Sequence, residues 1–161
     1  MTTLTVSTPD GAFTAHYSER GLARLDFPDT SDATGRNESE ISGRIRVWHK
    51  LTTRAVREIL AGRTPEELPP LDLSAGTEFQ QEVWRGMLKI KRGGAMSYGE
   101  LARSIGRPGA MRAVGGACGA NPIPLIVPCH RVLAADRKLG GFSGGLDWKR
   151  KLLAREGIQY D

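Results

Sequence analysis

The fold of the second half of the chain is decided by residues 97–119, which read SYGELARSIGRPGAMRAVGGACG. Ser97 followed by Glu100 is a capping-box pattern, in which each side chain satisfies a backbone amide of the other residue at a helix start. The stretch predicts a short helix, a tight turn at residues 106–109 and a second helix at about residues 110–119. Two short helices across such a turn are typical of a helix-turn-helix motif.

The second of these helices is poor in large side chains. It carries one charge, Arg112, among small residues that include Ala113 and Gly115. Small residues permit close approach to a shallow groove of DNA, where an arginine can occupy the gap left by a nucleotide that leaves the stack. The same residues could instead pack the helix against another helix and leave Arg112 solvated, so this stretch alone leaves both interpretations open.

An apolar run with three prolines, NPIPLIVP at residues 121–128, leads to a cysteine and a histidine. Proline lacks a backbone donor, so the run is expected to be extended and buried rather than helical. Cys129 and His130 follow it directly. A thiol becomes a good nucleophile once it loses its proton, and a nearby imidazole can accept that proton directly or through one water. The pair is therefore a candidate nucleophile and base.

The terminal helix offers a third group for this pair. Glu156 lies four residues after Leu152 and three after Leu153, on the inward face of a helix that ends at Gly157. A carboxylate in the last turn opposes the helix dipole. An inner partner such as His130 would explain its position, and a solvated terminal glutamate is the alternative. The glycine-rich residues 140–145, GGFSGG, could form one wall of a ligand pocket or a plain turn.

The first half of the chain has a different pattern. Alternating apolar and polar residues predict three antiparallel strands at about residues 4–6, 13–17 and 22–27. A polar loop is expected at residues 29–42, and apolar residues at helical spacing predict one helix at about residues 47–60.

The predicted fold class is α/β with two domains. Residues 1–75 are expected to form a small antiparallel sheet with one helix, ending in a proline-containing connector that begins at residue 68. Residues 76–161 are expected to form a mainly helical domain with the helix-turn-helix at about residues 97–119 and an active-site run at residues 121–133.

Charge is distributed unevenly between the two halves. The first 76 residues carry nine Lys and Arg against eleven Asp and Glu, whereas residues 77–161 carry fourteen against seven. A basic second half suggests a polyanionic partner, because Lys and Arg that contact phosphates release condensed counterions.

The composition, 39% hydrophobic and 25% charged, is ordinary for a globular protein, and no apolar stretch reaches the length of a membrane span. The first ten residues lack the features of a signal peptide, so a cytoplasmic location is expected. Two cysteines, Cys118 and Cys129, form neither a disulfide framework nor a zinc-binding pattern. Both are expected to be free thiols, and no metal site is predicted.

A set of motifs between Gly76 and about Gly157 resembles the O6-alkylguanine-DNA alkyltransferases, in the order and with the spacing of that family. The first 75 residues match the family only in general character, as its variable N-terminal α/β module. The motifs are Gly76-Thr77-Glu78-Phe79-Gln80, Val83-Trp84, Ser97-Tyr98, Arg112-Ala113-Val114-Gly115, Asn121-Pro122, Pro128-Cys129-His130-Arg131 and Ser143-Gly144-Gly145.

The resemblance implies a chemistry that consumes the protein. Cys129 would accept the alkyl group as a stable thioether, so each molecule would act once and without a cofactor. His130 would act as base through a water, Glu156 would orient His130, and Asn121 would brace the site. Tyr98 would lie near the target phosphate and donate a proton or hydrogen bond to the base.

The resemblance also implies the partner: double-stranded DNA that contains O6-alkylguanine or O4-alkylthymine, bound through its minor groove by a monomer with no membrane association. Arg112 would fill the gap left by the flipped guanine, with Ala113 and Gly115 close to the DNA.

The same resemblance implies a pocket for the flipped base. Ser143 and Gly144 would contact the guanine O6, and the carbonyls of Cys129 and Val132 would accept from the exocyclic amine. Pro124 would line the space for the alkyl group. Phe142 would form the pocket wall where many family members have tyrosine.

Two other functions compete with alkyl transfer. The protein could only sense alkylated DNA and recruit other factors, although family members with that role replace the cysteine. It could instead be a hydrolase that uses Cys129, His130 and Glu156, but catalytic partners usually come from separate elements rather than from neighbouring positions.

Overall fold

The computed structural model describes three stretches of the chain: residues 1–28, 41–142 and 144–161. The chain divides into two compact units, Met1–Ala75 and Gly76–Asp161. Most of the loop expected at residues 29–42 lies outside the described residues, and so does Ser143. Among the residues that are described, no helix is both long and apolar enough to cross a membrane.

The first unit holds a three-stranded antiparallel sheet and a helix that contacts it. Val6, Phe13 and Leu25 are buried from the strands, and Val56 is buried from the helix, so both elements contribute to one core. The predicted antiparallel strands and the predicted helix are confirmed. The elements are β1 (Thr2–Thr8), β2 (Gly11–Tyr17), β3 (Leu22–Asp26) and α1 (Gly43–Leu60).

The second unit is mainly helical, and its helix starts are set locally. The predicted capping box between Ser97 and Glu100 forms, and a second capping box forms between Thr77 and Gln80. The described elements are α2 (Glu78–Leu88), β4 (Met96–Ser97), α3 (Tyr98–Ser104), α4 (Met111–Gly119), a 3₁₀ turn (Cys129–Arg131), β5 (Val132–Leu133), a second 3₁₀ turn (Ala135–Arg137) and α5 (Leu146–Arg155). Strands β4 and β5 pair in parallel.

Helices α3 and α4 form the predicted helix-turn-helix. Gly106 has a φ of 77° after the end of α3, and α4 begins at Met111, one residue later than expected. Trp84 of α2 donates from Nε1 to the carbonyl of Ala117 at 2.8 Å, which ties α2 to the inner face of α4. The opposite face of α4 is thereby left to solvent.

The apolar run at residues 121–128 is buried, but the expectation that it is extended is wrong. Leu125 has a φ of 71°, and the Val127 N–H donates to the Ile123 carbonyl at 2.9 Å, so the chain turns back on itself. Asn121 stabilises the bend. Its Oδ1 accepts from the Ile123 N–H at 3.0 Å, and its Nδ2 donates to the Val127 carbonyl at 2.8 Å. One side chain therefore satisfies backbone groups that an extended run would offer to a neighbouring strand.

Candidate active site

Cys129 begins a 3₁₀ turn directly after the buried bend, and the backbone on both sides of it is fixed. Its N–H donates to the Val127 carbonyl at 2.8 Å, and the Arg131 N–H donates to the Pro128 carbonyl at 3.0 Å. Only 6% of the residue is exposed. The bend and the turn together hold the thiol in a defined position.

The surroundings of the Cys129 thiol act on its ionisation in opposite directions. Burial raises its pKa, whereas a hydrogen bond from the Asn121 side chain and the positive charge of Lys149 lower it, with a raised pKa as the net result. The thiol is therefore protonated at rest and needs a base before it can attack.

His130 and Glu156 form a buried pair. His130 Nε2 lies 2.8 Å from Glu156 Oε2, and the two side chains are 0% and 2% exposed. Burial by itself would raise the pKa of Glu156. Hydrogen bonds from His130 and Arg131 outweigh that effect and lower it to about 2. The carboxylate is thus ionised and faces inward, as its spacing from Leu152 and Leu153 suggests.

The ionised carboxylate assigns the tautomer of His130. A carboxylate only accepts hydrogen bonds, so the imidazole proton is assigned to Nε2 and the lone pair to Nδ1. Burial lowers the pKa of His130, with the hydrogen bond to Glu156 acting in the opposite direction, so the ring is neutral at neutral pH. Nδ1 is buried and has no hydrogen-bond partner among the described residues. His130 can therefore accept a proton at Nδ1.

Arg131 completes this network, although the sequence motifs assigned it no role of its own. Its Nε donates to Glu156 Oε1 at 2.7 Å, and its Nη2 donates to Oε2 at 3.1 Å. Its Nη1 donates to the Ile90 carbonyl at 2.6 Å. A two-point contact of this kind orients the carboxylate as well as neutralising it. The sequence did contain a signal for this contact: Arg131 directly follows the candidate base His130, and Glu156 was expected to face inward.

A cavity of about 200 Å³ lies beside the nucleophile. It brings Cys129 together with Tyr98, Gly115 and Phe142, three other residues singled out from the sequence. Its walls come from α3, α4, the nucleophile turn and the loop before α5. The lining residues are Tyr98, Gly115, Cys118, Gly119, Cys129, Gly141 and Phe142.

Tyr98 approaches this loop closely because residue 140 is glycine. Gly140 has a φ of 68°, and a Cβ there would lie 2.8 Å from the Tyr98 hydroxyl oxygen. Burial raises the pKa of Tyr98, whereas a backbone hydrogen bond with Gly141 acts in the opposite direction. The phenol therefore keeps its proton at neutral pH and can donate it to a ligand in the cavity.

The outer face of α4 carries the residues that the sequence assigned to DNA contact. Arg112 and Ala113 are exposed, and Gly115 is half-buried next to the Tyr98 ring. The Arg112 side chain makes no hydrogen bond or ion pair with any residue that the structure describes. The sequence left open whether this helix packs on another helix or faces DNA. Its inner face packs on α2 at Ala117, whereas Arg112 and Ala113 on its outer face are exposed.

Three of the remaining predicted pocket residues, Val132, Pro124 and Gly144, do not line the cavity. Val132 is buried, and Pro124 is also buried, within the bend. Gly144 is half-buried outside the lining set, and Ser143 lies outside the described residues.

Two buried residues near the cavity were missed from the sequence. Lys149 is 0% exposed, and Cys118 is 7% exposed and lines the cavity. Lys149 precedes Glu156 by seven residues, or two helical turns, so the two side chains lie on the same face of the helix. Since Glu156 was expected to face inward, this spacing could have predicted that Lys149 is buried. Across the three described stretches, no group of three or more His, Cys, Asp and Glu is placed to hold a metal ion.

Comparisons with known proteins point to one family. The model of the 6-O-methylguanine DNA methyltransferase DNA-binding domain matches residues 78–158. A methylated-DNA–protein-cysteine methyltransferase from Salmonella typhimurium is 52% identical, over 88% of this chain and 72% of that protein. The methylated-DNA–protein-cysteine methyltransferase from Haemophilus influenzae is 55% identical, over 53% of this chain and 48% of that protein. The chain thus spans about half the length of the latter relative.

The similarity also extends to the folded structure. A crystal structure of Mycobacterium tuberculosis OGT in complex with DNA superposes with a TM-score of 0.75 at 40% identity, covering 96% of this chain and 91% of that chain. The likeness therefore reaches beyond the residues that the family model matches. With its helix-turn-helix, its Pro-Cys-His-Arg turn and these relatives, the chain belongs to the 6-O-methylguanine DNA methyltransferase family.

Proposed function

We propose that this chain repairs O6-alkylguanine, and also O4-alkylthymine, in double-stranded DNA by moving the alkyl group to Cys129. The observation that carries the proposal is the thiol itself: it lines a cavity of about 200 Å³, and the residue after it is an imidazole held by a buried carboxylate. Cys129 must stay reduced to react, so we place the protein in a reducing compartment, the cytoplasm.

The proposed reaction uses four side chains. His130 Nδ1 takes the Cys129 proton through a water, and Glu156 stabilises the imidazolium that results. The thiolate attacks the alkyl carbon, so an S–C bond forms and the C–O6 bond breaks. Electrons of the broken bond go to the guanine, which takes a proton from Tyr98. The thioether is stable, so each molecule acts once and no cofactor is required.

The proposed contacts to the flipped base are those that the family resemblance implies. Ser143 and Gly144 contact the guanine O6, Phe142 forms a wall and Pro124 lies behind the alkyl group. The Val132 carbonyl accepts from the exocyclic amine. It already accepts from Lys149 at 2.7 Å, and its second lone pair can serve the base.

DNA is proposed to bind a monomer through the minor groove. Arg112 enters the duplex where the target nucleotide leaves the stack, while Ala113 and Gly115 allow the groove to approach α4 closely. The exposure of Arg112 and the net charge of +7 on residues 77–161 support this arrangement.

Arg112→Ala is expected to slow repair of duplex DNA by about tenfold to a hundredfold, because a wedge of this kind offsets a few kcal/mol of unstacking. Reaction with free O6-benzylguanine should be largely spared, since that base needs no flipping. Arg44→Ala removes the same charge from an exposed position of α1 and serves as the matched control. Equal losses on both substrates would argue against the wedge.

The proposed function is tested by incubating the protein with duplex DNA that carries a labelled O6-methylguanine. Label is expected to move to the protein and to stop at one equivalent per molecule. Tight binding without transfer would favour the sensing function. Continued turnover of a thioester substrate would favour a cysteine hydrolase.

A further inference from the structure

Lys149 is a fully buried lysine that the proposed reaction does not use. It lies on the inward face of α5 with Leu152 and Leu153, and its side chain is enclosed. Its Nζ donates to the Val132 carbonyl at 2.7 Å and to the Gly141 carbonyl at 3.1 Å. Lysine is seldom fully buried, because removing an ammonium from water is costly unless something compensates it.

The two carbonyls belong to opposite sides of the active site. Val132 follows the Cys129–Arg131 turn directly, so it is one step from the turn that carries the nucleophile. Gly141 lines the cavity beside Phe142. The Lys149 ammonium therefore joins the nucleophile segment to the loop that faces it across the cavity.

The ammonium also acts electrically on three titratable groups. Burial lowers the pKa of Lys149 to about 8, and the thiolate forms of Cys129 and Cys118 act to raise it. In return, the charge of Lys149 lowers the pKa of Cys129 and that of His130. One positive charge thus favours both the thiolate nucleophile and the neutral base.

We propose that Lys149 is a positioning residue for alkyl transfer: its ammonium fixes the Gly141 wall to the nucleophile segment and holds a positive charge beside Cys129 during attack. This inference rests on the proposed function, since it concerns the same reacting thiol. Helix α5 and the residue that caps its C-terminus therefore supply two charges of the site, Lys149 near Cys129 and Glu156 at His130.

Two substitutions separate the charge from the hydrogen bonds. Lys149→Met keeps the length of the side chain but removes both charge and donors, whereas Lys149→Gln keeps a donor without the charge. If Lys149 only satisfied two carbonyls, the glutamine variant would behave as wild type. Lys151→Met removes a charge from an exposed position of the same helix and is the matched control.

The readout is the pH dependence of Cys129 alkylation by iodoacetamide, measured in a Cys118→Ser background so that one thiol reports. Both Lys149 variants are expected to move the midpoint to higher pH, and a midpoint that lies about one pH unit higher slows the reaction at neutral pH about tenfold. Lys151→Met should keep the midpoint of its parent. A glutamine variant with an unchanged midpoint would overturn the proposal.

A measurement on the wild-type side chain covers the case in which the variants do not fold. The Lys149 ammonium is titrated by NMR before and after Cys129 is methylated with methyl iodide. Methylation removes the thiolate, so the pKa of Lys149 is expected to fall, and an unchanged pKa would contradict the inference. Neither reagent involves DNA, so a protein that fails to repair methylated duplex but shows these changes would refute only the proposed function.

Discussion

The Cys129→Ser variant is expected to bind duplex DNA that contains O6-methylguanine and to leave the methyl group on the base. A serine hydroxyl holds its proton far more tightly than a thiol, and the neutral His130 is too weak a base to remove it without further help. Transfer should fall below detection, since no other step can supply the nucleophile. Binding should persist, because α4 and Arg112 are unaffected.

The experiment compares labelled-methyl transfer with DNA binding measured on the same preparation. Cys118→Ser removes the other thiol of the cavity and should still accept label. Methyl transfer by Cys129→Ser at a rate near that of the wild type would assign the acceptor to another residue and end the proposed mechanism.

Glu156→Gln is expected to lower the free energy of unfolding by about 3–5 kcal/mol, the usual cost of breaking a buried ion pair from one side. The neutral amide of the variant leaves the buried Arg131 without a counterion. Because an amide can donate as well as accept, it also no longer fixes the imidazole proton on Nε2 of His130. Urea denaturation at pH 7 measures the loss. Glu100→Gln, at the start of α3, changes the same functional group near the surface and serves as control. A loss below about 1 kcal/mol, as for an exposed pair, would contradict the buried network.

The same carboxylate predicts a pH dependence. The pKa of Glu156 is lowered in the folded protein to about 2 from an ordinary value of 4.5. Its stabilising contribution is therefore complete above about pH 4.5 and is lost as the pH falls towards 2. Wild type should lose more stability across that window than Glu156→Gln, which has no carboxyl to protonate. Parallel stability curves for the two proteins would show that Glu156 is not paired.

Local signals explain why much of the second unit could be predicted from the sequence. The capping boxes at Thr77 and Ser97 involve residues three apart, so they are readable without knowledge of tertiary contacts. Glu156 and His130 are 26 residues apart in the sequence, yet their contact could be predicted. Helical spacing places the Glu156 carboxylate on the buried face of the terminal helix, and a buried carboxylate needs a polar partner such as His130.

Other features depend on contacts that spacing does not encode. The bend before Cys129 is stabilised by hydrogen bonds between the Asn121 side chain and the backbone at Ile123 and Val127. The three prolines of this run indicate only that it is not helical, so they do not predict the bend. Lys149 was missed because a lysine is exposed by default, and its burial is made tolerable by the carbonyls of Val132 and Gly141, 17 and 8 residues away.

Peptide mass spectrometry after reaction with O6-methylguanine duplex tests the central claim most directly. Trypsin releases residues 113–131 as one peptide that contains both cysteines, so fragmentation is needed to assign the modified residue. The expected result is the mass of one methyl group in place of one hydrogen, located on Cys129. An unmodified peptide from folded protein, or a methyl group on Cys118, would contradict alkyl transfer to Cys129.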